Sequence, residues 1–292
     1  MKHCGNSRRL SRTLYKILSA PVTLITVPPG TGAEEAVRSF LKKRREIHTE
    51  EISVTGPGAE GEAFQAMHRM EESGFSVLLL SNADRIPASF MELFLHQYFL
   101  SANPRRHLVL LADKPPRCFP EELFFSRDCL WLSRESFFFT REEAEALFMK
   151  NGKFLSKEVW EMTLGWPAML EIFLKSQGQA RSECISFIKT HIFSEMAEPL
   201  RLGIARLSFL ESFMESEAVI LLEDSRAGRM LDTYLSLGIL FREEEGRCRF
   251  HPLVRAAGQE LAGAAGLERM SIPLRKRNQA AARAGIPSRA IG

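Results

Sequence analysis

The sequence predicts an α/β fold in which a parallel sheet carries helices on both faces and is followed by a small helical domain and a winged helix. Two observations predict the sheet: apolar runs that end in polar turns, and helix-like stretches that separate those runs. Strands that are buried on both faces lack alternation of polar and apolar residues, so such runs are typical of a covered parallel sheet. A third observation, the change to helical patterning from Phe139, predicts the helical domain and the winged helix that follow the sheet.

Three apolar runs predict the first strands. Val22–Val27 ends in a Pro- and Gly-rich turn, and Ala33–Arg44 then has helical composition, which makes a unit of strand, glycine loop and helix. The other runs are Phe75–Leu80 and His107–Ala112, and Cys129–Leu132 is predicted as the last strand. Helices are predicted between the strands, at Ala63–Glu72 and Phe90–Leu100.

Capping signals define the helices that follow. Thr140 and Glu143 have the spacing of a capping box, and Ser156 is placed to cap the next helix. That helix is predicted to stop at Gly165, and Pro167 stands where the first turn of a new helix tolerates proline. These signals predict a small helical domain.

The pattern beyond residue 198 predicts a winged helix, which is three helices followed by a two-stranded hairpin. The predicted segments are Leu200–Leu210, Ser216–Leu222 and Met230–Leu237, then the strands Ile239–Arg242 and Cys248–Phe250, and a last helix at Pro252–Leu261. We therefore expect four parts: a sheet domain (1–137), the small helical domain (138–197), the winged helix (198–265) and the start of a helical repeat (266–292).

Composition narrows the class of protein. The 292 residues include 39 Lys+Arg and 36 Asp+Glu, for a net charge of +3, and 45% are hydrophobic. This excludes a disordered chain and disfavours a strongly basic nucleic-acid-binding protein. Five scattered cysteines without a CxxC pair are typical of reduced thiols, and the apolar stretch Leu18–Val27 is far shorter than the roughly 18 residues of a membrane helix. We expect a cytoplasmic protein without a zinc site or a membrane partner.

The order of these segments resembles the large ATP-binding LuxR-type transcription regulators, the MalT-like branch of the STAND P-loop NTPases. The most specific part is Leu130–Leu174, where a strand, an "FT-EEA" helix, "GWPA" and a further helix follow in order. The resemblance is carried by Val22–Gly32, Leu78–Ile86, Leu108–Pro116, Phe139–Ala144, Gly165–Ala168 and Arg249–Leu253. It implies an ATP switch made of a nucleotide-binding domain, a helical domain and a winged helix. Helical repeats and a DNA-binding helix-turn-helix would follow, and this chain would stop inside the first repeat.

The nucleotide-binding positions implied by this resemblance are altered. The family pattern G-x-G-K-T corresponds to Gly30, Thr31, Gly32, Ala33 and Glu34. A working loop needs the Lys for the phosphates and the hydroxyl for Mg²⁺. A carboxylate about 4 Å from a phosphate charge costs about 4 kcal/mol at an effective dielectric near 20. We therefore predict a structural turn at this loop.

The positions after the second and third apolar runs are altered as well. Ser81 and Asn82 stand where the family has two acidic residues, and Asp84 follows two positions later. We expect Asp84 to stabilise the turn rather than to bind a metal. Where the family has an Arg near a DPP sequence after the third run, the segment Asp113–Pro116 has Lys114 as its only cation. Three elements of hydrolysis are thus altered together, which predicts lost catalysis.

Three further residues match family elements. Trp166 and Pro167 match an element that lies against the nucleotide base, and His251 matches a histidine that approaches the β-phosphate of ADP. Each is also common in ordinary packing, and we favour that interpretation while keeping all three as vestigial nucleotide-binding positions. In the third helix of the winged helix, Leu231–Leu237 has no basic side chain, and only Arg226 and Arg229 stand at its start, so we expect no direct DNA binding through it.

These observations predict a regulatory signal-transduction module with a degenerate ATP site. We expect no catalytic residue, no metal and no cofactor beyond weakly bound ATP or ADP. Its partner would be another protein or the protein's own C-terminal repeats, with DNA contacted only through a helix-turn-helix beyond them. The alternative from the enzyme class is a slow ATPase with an atypical P-loop. A third is a stand-alone interaction scaffold.

Overall fold

A computed structural model describes residues 8–56, 58–70, 74–100, 103–116, 119–120, 123, 126–176, 178–222 and 226–264. The chain divides into two compact units. The first contains the described residues up to Leu155 with Gly165–Glu171 and Ser236–Gly238, and the second contains Ser156–Leu164, Ile172–Leu235 and the described residues from Ile239. The predicted start of a repeat (266–292) lies outside the described residues, and the four-part division stays a prediction.

A five-stranded parallel sheet forms the centre of the first unit, with β1 placed between β4 and β5. The strand order is β2-β3-β4-β1-β5. The strands are β1 Val22–Thr26, β2 His48–Ser53, β3 Ser76–Ser81, β4 Arg106–Ala112 and β5 Cys129–Leu132. The predicted parallel sheet is confirmed. The strand β2 was missed because this edge strand consists mostly of polar and charged residues, exposed or half-buried, instead of an apolar run.

Helices cover both faces of the sheet, as expected. They are α1 Arg8–Tyr15, α2 Ala33–Lys42, α3 Ala59–Arg69 and α4 Ala88–Leu100. Leu78 and Leu80 point to the face covered by α3 and α4, whereas Val77 and Leu79 point to the face covered by α1 and α2. Since successive side chains of a strand point to opposite faces, both sets are buried and the runs are apolar throughout.

Two of the helices after the sheet begin at their predicted caps. The helices are α5 Arg134–Phe137, α6 Arg141–Lys150, α7 Lys157–Thr163 and α8 Pro167–Lys175. The two with predicted caps are α6 and α7, whereas the short helix α5 was not predicted. Thr140 and Glu143 form the complete capping box at the start of α6, and the Ser156 hydroxyl accepts the Val159 N–H at 3.2 Å. Both caps are confirmed, as is Pro167 in the first turn of α8.

The second unit contains the remaining helices and a short hairpin. The helices are α9 Ala180–Ile188, α10 Glu198–Leu207, α11 Glu215–Leu222, α12 Ala227–Ser236 and α13 Pro252–Ala264, and the antiparallel strands are β6 Leu240–Arg242 and β7 Cys248–Phe250. Gly203 permits the close approach of α10 and α12, because a Cβ there would overlap the Tyr234 hydroxyl. Within the described ranges, no helix combines the length and apolar character needed to cross a membrane.

His107 is a buried histidine at the amino-terminal end of the sheet, and it makes stability depend on pH. Its side chain is 5% exposed, Nδ1 lies 2.9 Å from the Ala20 carbonyl oxygen, and Nε2 has no partner among the described residues. Burial lowers the pKa of His107 below its usual value, against a smaller opposing effect of the Ala20 carbonyl. The imidazole is therefore neutral in the folded protein at pH 7.

We expect the free energy of unfolding to fall as pH decreases below about 6.5, the usual pKa of histidine in an unfolded chain. Below that value the unfolded chain binds a proton that folded His107 does not bind, until the pH passes the lowered pKa of the folded state. Urea denaturation between about pH 7 and pH 5 measures this slope. His107→Gln should reduce the slope, and an unchanged slope in that variant would contradict the assignment.

Candidate functional site

A cavity of about 290 Å³ lies at the carboxyl ends of β1, β3 and β4. Its lining comprises Val27–Glu35, Arg38, Ser81, Asn82 and Leu111–Asp113. The chain leaves β1 for α2 on one face of the sheet, whereas the connection after β4 places Phe119 in the core of the other face. In open α/β sheets, ligands bind at such a point, where neighbouring strands send their connections to opposite faces.

The loop from β1 to α2 depends on two glycines in the left-handed region. Gly30 has φ +79° and Gly32 has φ +72°, and Gly32 directly precedes the first residue of α2. Thr31 between them is 3% exposed, and its Oγ1 accepts the Ala33 N–H at 3.4 Å. Because residues with a Cβ are strained at positive φ, the loop needs glycine at both positions.

Glu34 and Ser81, which the sequence assigned to separate altered motifs, are in direct contact. The Ser81 hydroxyl donates to Glu34 Oε1 at 2.7 Å, and Arg38 Nη2 lies 2.9 Å from the same oxygen. Arg38 Nε also donates to Glu51 Oε2 at 2.8 Å. We call this set of four side chains (Glu34, Arg38, Glu51 and Ser81) the Arg38 network. It joins α2, β2 and β3 beside the glycine loop.

The other predicted positions near the loop are occupied by turn contacts. Asn82 has φ +58°, and its Nδ2 donates to Ser53 Oγ at 3.2 Å. Asp84 Oδ1 accepts the Asp113 N–H at 3.4 Å, which links the turns after β3 and β4. Neither Asp84 nor Lys114 belongs to the described lining of the cavity. Asp84 therefore stabilises a turn in this structure.

Trp166 holds the backbone of the glycine loop from the side. The indole is completely buried, and its Nε1–H donates to the Pro29 carbonyl at 3.0 Å. The Ala168 N–H donates to the Gly30 carbonyl at the same distance, while Pro167 between them is buried. Trp166 also stacks on Phe138 with ring centroids 5.7 Å apart. The "GWPA" segment therefore fixes two loop carbonyls.

His251 is fully buried in the second unit. Its Nε2 lies 3.0 Å from the Thr163 carbonyl oxygen, and its Nδ1 accepts the Leu253 N–H at 3.3 Å. These two contacts assign the ring hydrogen to Nε2, since a nitrogen that accepts cannot also donate. The arrangement is that of a packed structural histidine, and a role toward a nucleotide stays a prediction.

A magnesium-bound nucleotide does not fit the donor set of the cavity. Ala33 offers no ammonium group, and the charged lining residues are Glu34, Glu35 and Asp113 against Arg38. A polyphosphate there would meet more negative than positive side-chain charge. In the described part of the chain, no group of three or more His, Cys, Asp or Glu residues is arranged to hold a metal ion.

Two members of the Arg38 network were not predicted. Arg38 is four residues after Glu34 on α2, and this helical spacing of opposite charges was the available signal. Glu51 had no signal, because it lies on β2, which the apolar patterning did not reveal. Only the pairing of β2 with β3 brings Glu51 near Arg38.

The chain shares its fold with solved P-loop NTPases. It is similar to a Walker-type ATPase of Pyrococcus abyssi, with a TM-score of 0.61 and 13% identity over 87% of this chain and 96% of that one. A STAND protein with a tetratricopeptide repeat sensor from Pyrococcus horikoshii matches with a TM-score of 0.40 and 15% identity over 86% of this chain and 42% of that one. The RuvB Holliday junction branch migration motor of Thermotoga maritima matches with a TM-score of 0.43 and 15% identity over 84% of this chain and 92% of that one.

No protein-family model and no curated protein sequence matches the chain. At 13% identity, the likeness to the Walker-type ATPase concerns the fold. Function therefore has to be argued from the site.

Proposed function

We propose that the chain is a regulatory module with a P-loop NTPase fold that does not hydrolyse ATP. In the finer form of this proposal, it is the switch region of a MalT-like LuxR-type STAND regulator. The order of sequence segments supports that form, and the glycine loop after β1 and the cavity at the carboxyl end of the sheet support its origin as a nucleotide site.

The contact between Glu34 and Ser81 carries the proposal. Phosphoryl transfer needs a cation beside the phosphates and oxygen ligands for Mg²⁺. Here Ala33 replaces the lysine, and the Glu34 carboxylate is held by the Ser81 hydroxyl at 2.7 Å and by Arg38 at 2.9 Å. The groups at the metal position are therefore bonded to each other, which favours a site without turnover.

We propose that the module acts by contact with a protein. Helices α10 to α12 and the β6-β7 hairpin follow the element order of a winged helix, but α12 has a single basic side chain, Arg229 in its first turn, and the hairpin turn carries Glu243, Glu244 and Glu245. Both features oppose contact with DNA phosphates. The partner is then another protein or C-terminal repeats of the same protein, and DNA is reached only through a separate helix-turn-helix.

A slow ATPase is the second candidate function. The left-handed conformations of Gly30 and Gly32 and the cavity beside them favour it, because a loop of this kind can cradle phosphates with backbone N–H groups. It would have to work without a lysine at position 33 and with the carboxylate of Glu34 beside the phosphates.

Phosphate release and thermal stability, measured with ATP in the presence and absence of Mg²⁺, separate the two candidates. We expect no release above background and no Mg²⁺-dependent stabilisation, because a ligand stabilises only the fold that binds it, by RT ln(1 + [L]/Kd). Asp84→Asn is the matched variant, since Asp84 is the one acidic residue that follows β3 within the segment 81–86, where the family has two acids. Turnover in the wild type that this variant abolishes would refute the proposal.

A further inference from the structure

We propose that the Arg38 guanidinium is a built-in cation that takes the place of a metal ion in this site. The inference rests on the proposed function, because it treats the cavity as a former nucleotide site. It adds that the chain's own charge fills the cation position, so that the wild type binds no divalent ion there.

The geometry places the guanidinium between two carboxylates, one of which also accepts a hydroxyl hydrogen bond. Arg38 Nη2 is 2.9 Å from Glu34 Oε1, Arg38 Nε is 2.8 Å from Glu51 Oε2, and Ser81 Oγ is 2.7 Å from Glu34 Oε1. Two carboxylates and a hydroxyl are the hard oxygen ligands that divalent cations prefer. The guanidinium carries the compensating positive charge that such a set would otherwise take from a metal ion.

Compared with a working P-loop site, the hydroxyl and the carboxylate stand at each other's positions. In the P-loop pattern the hydroxyl comes from the first turn of the helix after the loop, and the family places the carboxylate after the apolar strand. Here the carboxylate of Glu34 is in that first turn and the hydroxyl of Ser81 ends β3. The two side chains still meet, so the donors have changed places while the contact between α2 and β3 is kept.

The charges of the network predict its response to the loss of Arg38. Without the guanidinium, Glu34 and Glu51 would face each other through a gap beside the Ser81 hydroxyl, and their repulsion would favour a replacement cation. The side chains of Arg38, Glu34 and Glu51 are 37%, 46% and 33% exposed, so an ion from solution can reach them. A divalent ion should then bind where the wild type binds none.

Titration of the full chain with Mn²⁺ alone, followed by the electron paramagnetic resonance of the free ion, tests this inference. We expect no saturable binding by the wild type below about 1 mM, and Arg38→Gln should bind at least about tenfold more tightly and gain thermal stability with Mn²⁺. Adding Glu34→Gln to Arg38→Gln should abolish the gain. Arg38→Gln without any gain in Mn²⁺ affinity would overturn the proposal.

Arg69→Gln is the matched control. Arg69 pairs with Glu50, the neighbour of Glu51 on β2, through Nε at 3.1 Å and Nη2 at 3.0 Å. Arg69→Gln therefore removes one positive charge beside the same strand, as Arg38→Gln does, and should gain no affinity for Mn²⁺. A gain equal to that of Arg38→Gln would show a non-specific charge effect and overturn the proposal. If Arg38→Gln does not fold, the Mn²⁺ titration of the wild type decides alone. Saturable binding of Mn²⁺ that Glu34→Gln abolishes would overturn the proposal, whereas the absence of binding would support it.

The two proposals fail separately. The Mn²⁺ titration contains no nucleotide and reports only whether Arg38 occupies the cation position. Phosphate release by the wild type would refute the absence of hydrolysis without altering that titration.

Discussion

Replacing Ala33 with Lys and Glu34 with Thr together should raise the affinity for ATP by about two to three orders of magnitude. The change removes a carboxylate from the cavity and adds an ammonium for the phosphates and a hydroxyl for Mg²⁺. The backbone that has to receive these groups is present, since Gly30 and Gly32 are both left-handed and two loop carbonyls are fixed by Trp166 and Ala168. Calorimetric titration of the wild type and the double variant with ATP and Mg²⁺ measures the effect.

The matched control is Ala33→Lys with Glu35→Thr. Glu35 also lines the cavity, so the net charge changes equally, but the carboxylate bonded to Ser81 remains. We expect a clearly smaller gain in affinity from this control. Hydrolysis should stay absent in the variant that combines Ala33→Lys with Glu34→Thr until Ser81→Asp and Asn82→Asp are added, because binding and water activation depend on separate elements.

A double variant that binds ATP no better than the wild type would show that the loop has lost its geometry as well as its chemistry. The chain would then have to be regarded as an interaction scaffold.

Gly165→Ala should lower the free energy of unfolding by about 2–5 kcal/mol. Gly165 has φ +81°, where a residue with a Cβ costs about 1–2 kcal/mol. The new Cβ would also overlap the carbonyl oxygen of Phe139, whose N–H donates to the Gly165 carbonyl at 2.9 Å. Relieving that overlap has to disturb this hydrogen bond, which costs about a further 1–3 kcal/mol if its groups stay buried. Urea denaturation measures the change.

Gly152→Ala is the control for the backbone penalty alone. Gly152 has φ +68°, and a Cβ there would meet nothing within 4 Å. Its variant should lose only about 1–2 kcal/mol. Equal losses in the two variants would contradict the role assigned to the contact between Phe139 and Gly165.

Local signals were sufficient for most of the fold. The strands β1, β3 and β4 are short apolar runs because both faces of the sheet are covered, and that burial is visible in composition. The edge strand β5 was predicted from its apolar residues, although Trp131 in it is exposed. The capping box of Thr140 and Glu143 uses neighbouring residues, so its geometry follows from spacing. The edge strand β2 did not follow, because pairing on one side only leaves its side chains partly exposed and charged.

The amino-acid sequence determined where the unusual residues stand: a loop with two glycines but no lysine, and a hydroxyl and an amide where two acids would be expected. It could not determine what these residues contact. Glu34 is 47 positions from Ser81, and Arg38 is 13 positions from Glu51, so these pairs exist only through the pairing of β2 with β3 and the packing of α2 beside them. Electrostatic and hydrogen-bonding energies depend on distances of a few ångströms, and the tertiary structure alone sets those distances for residues far apart in the chain.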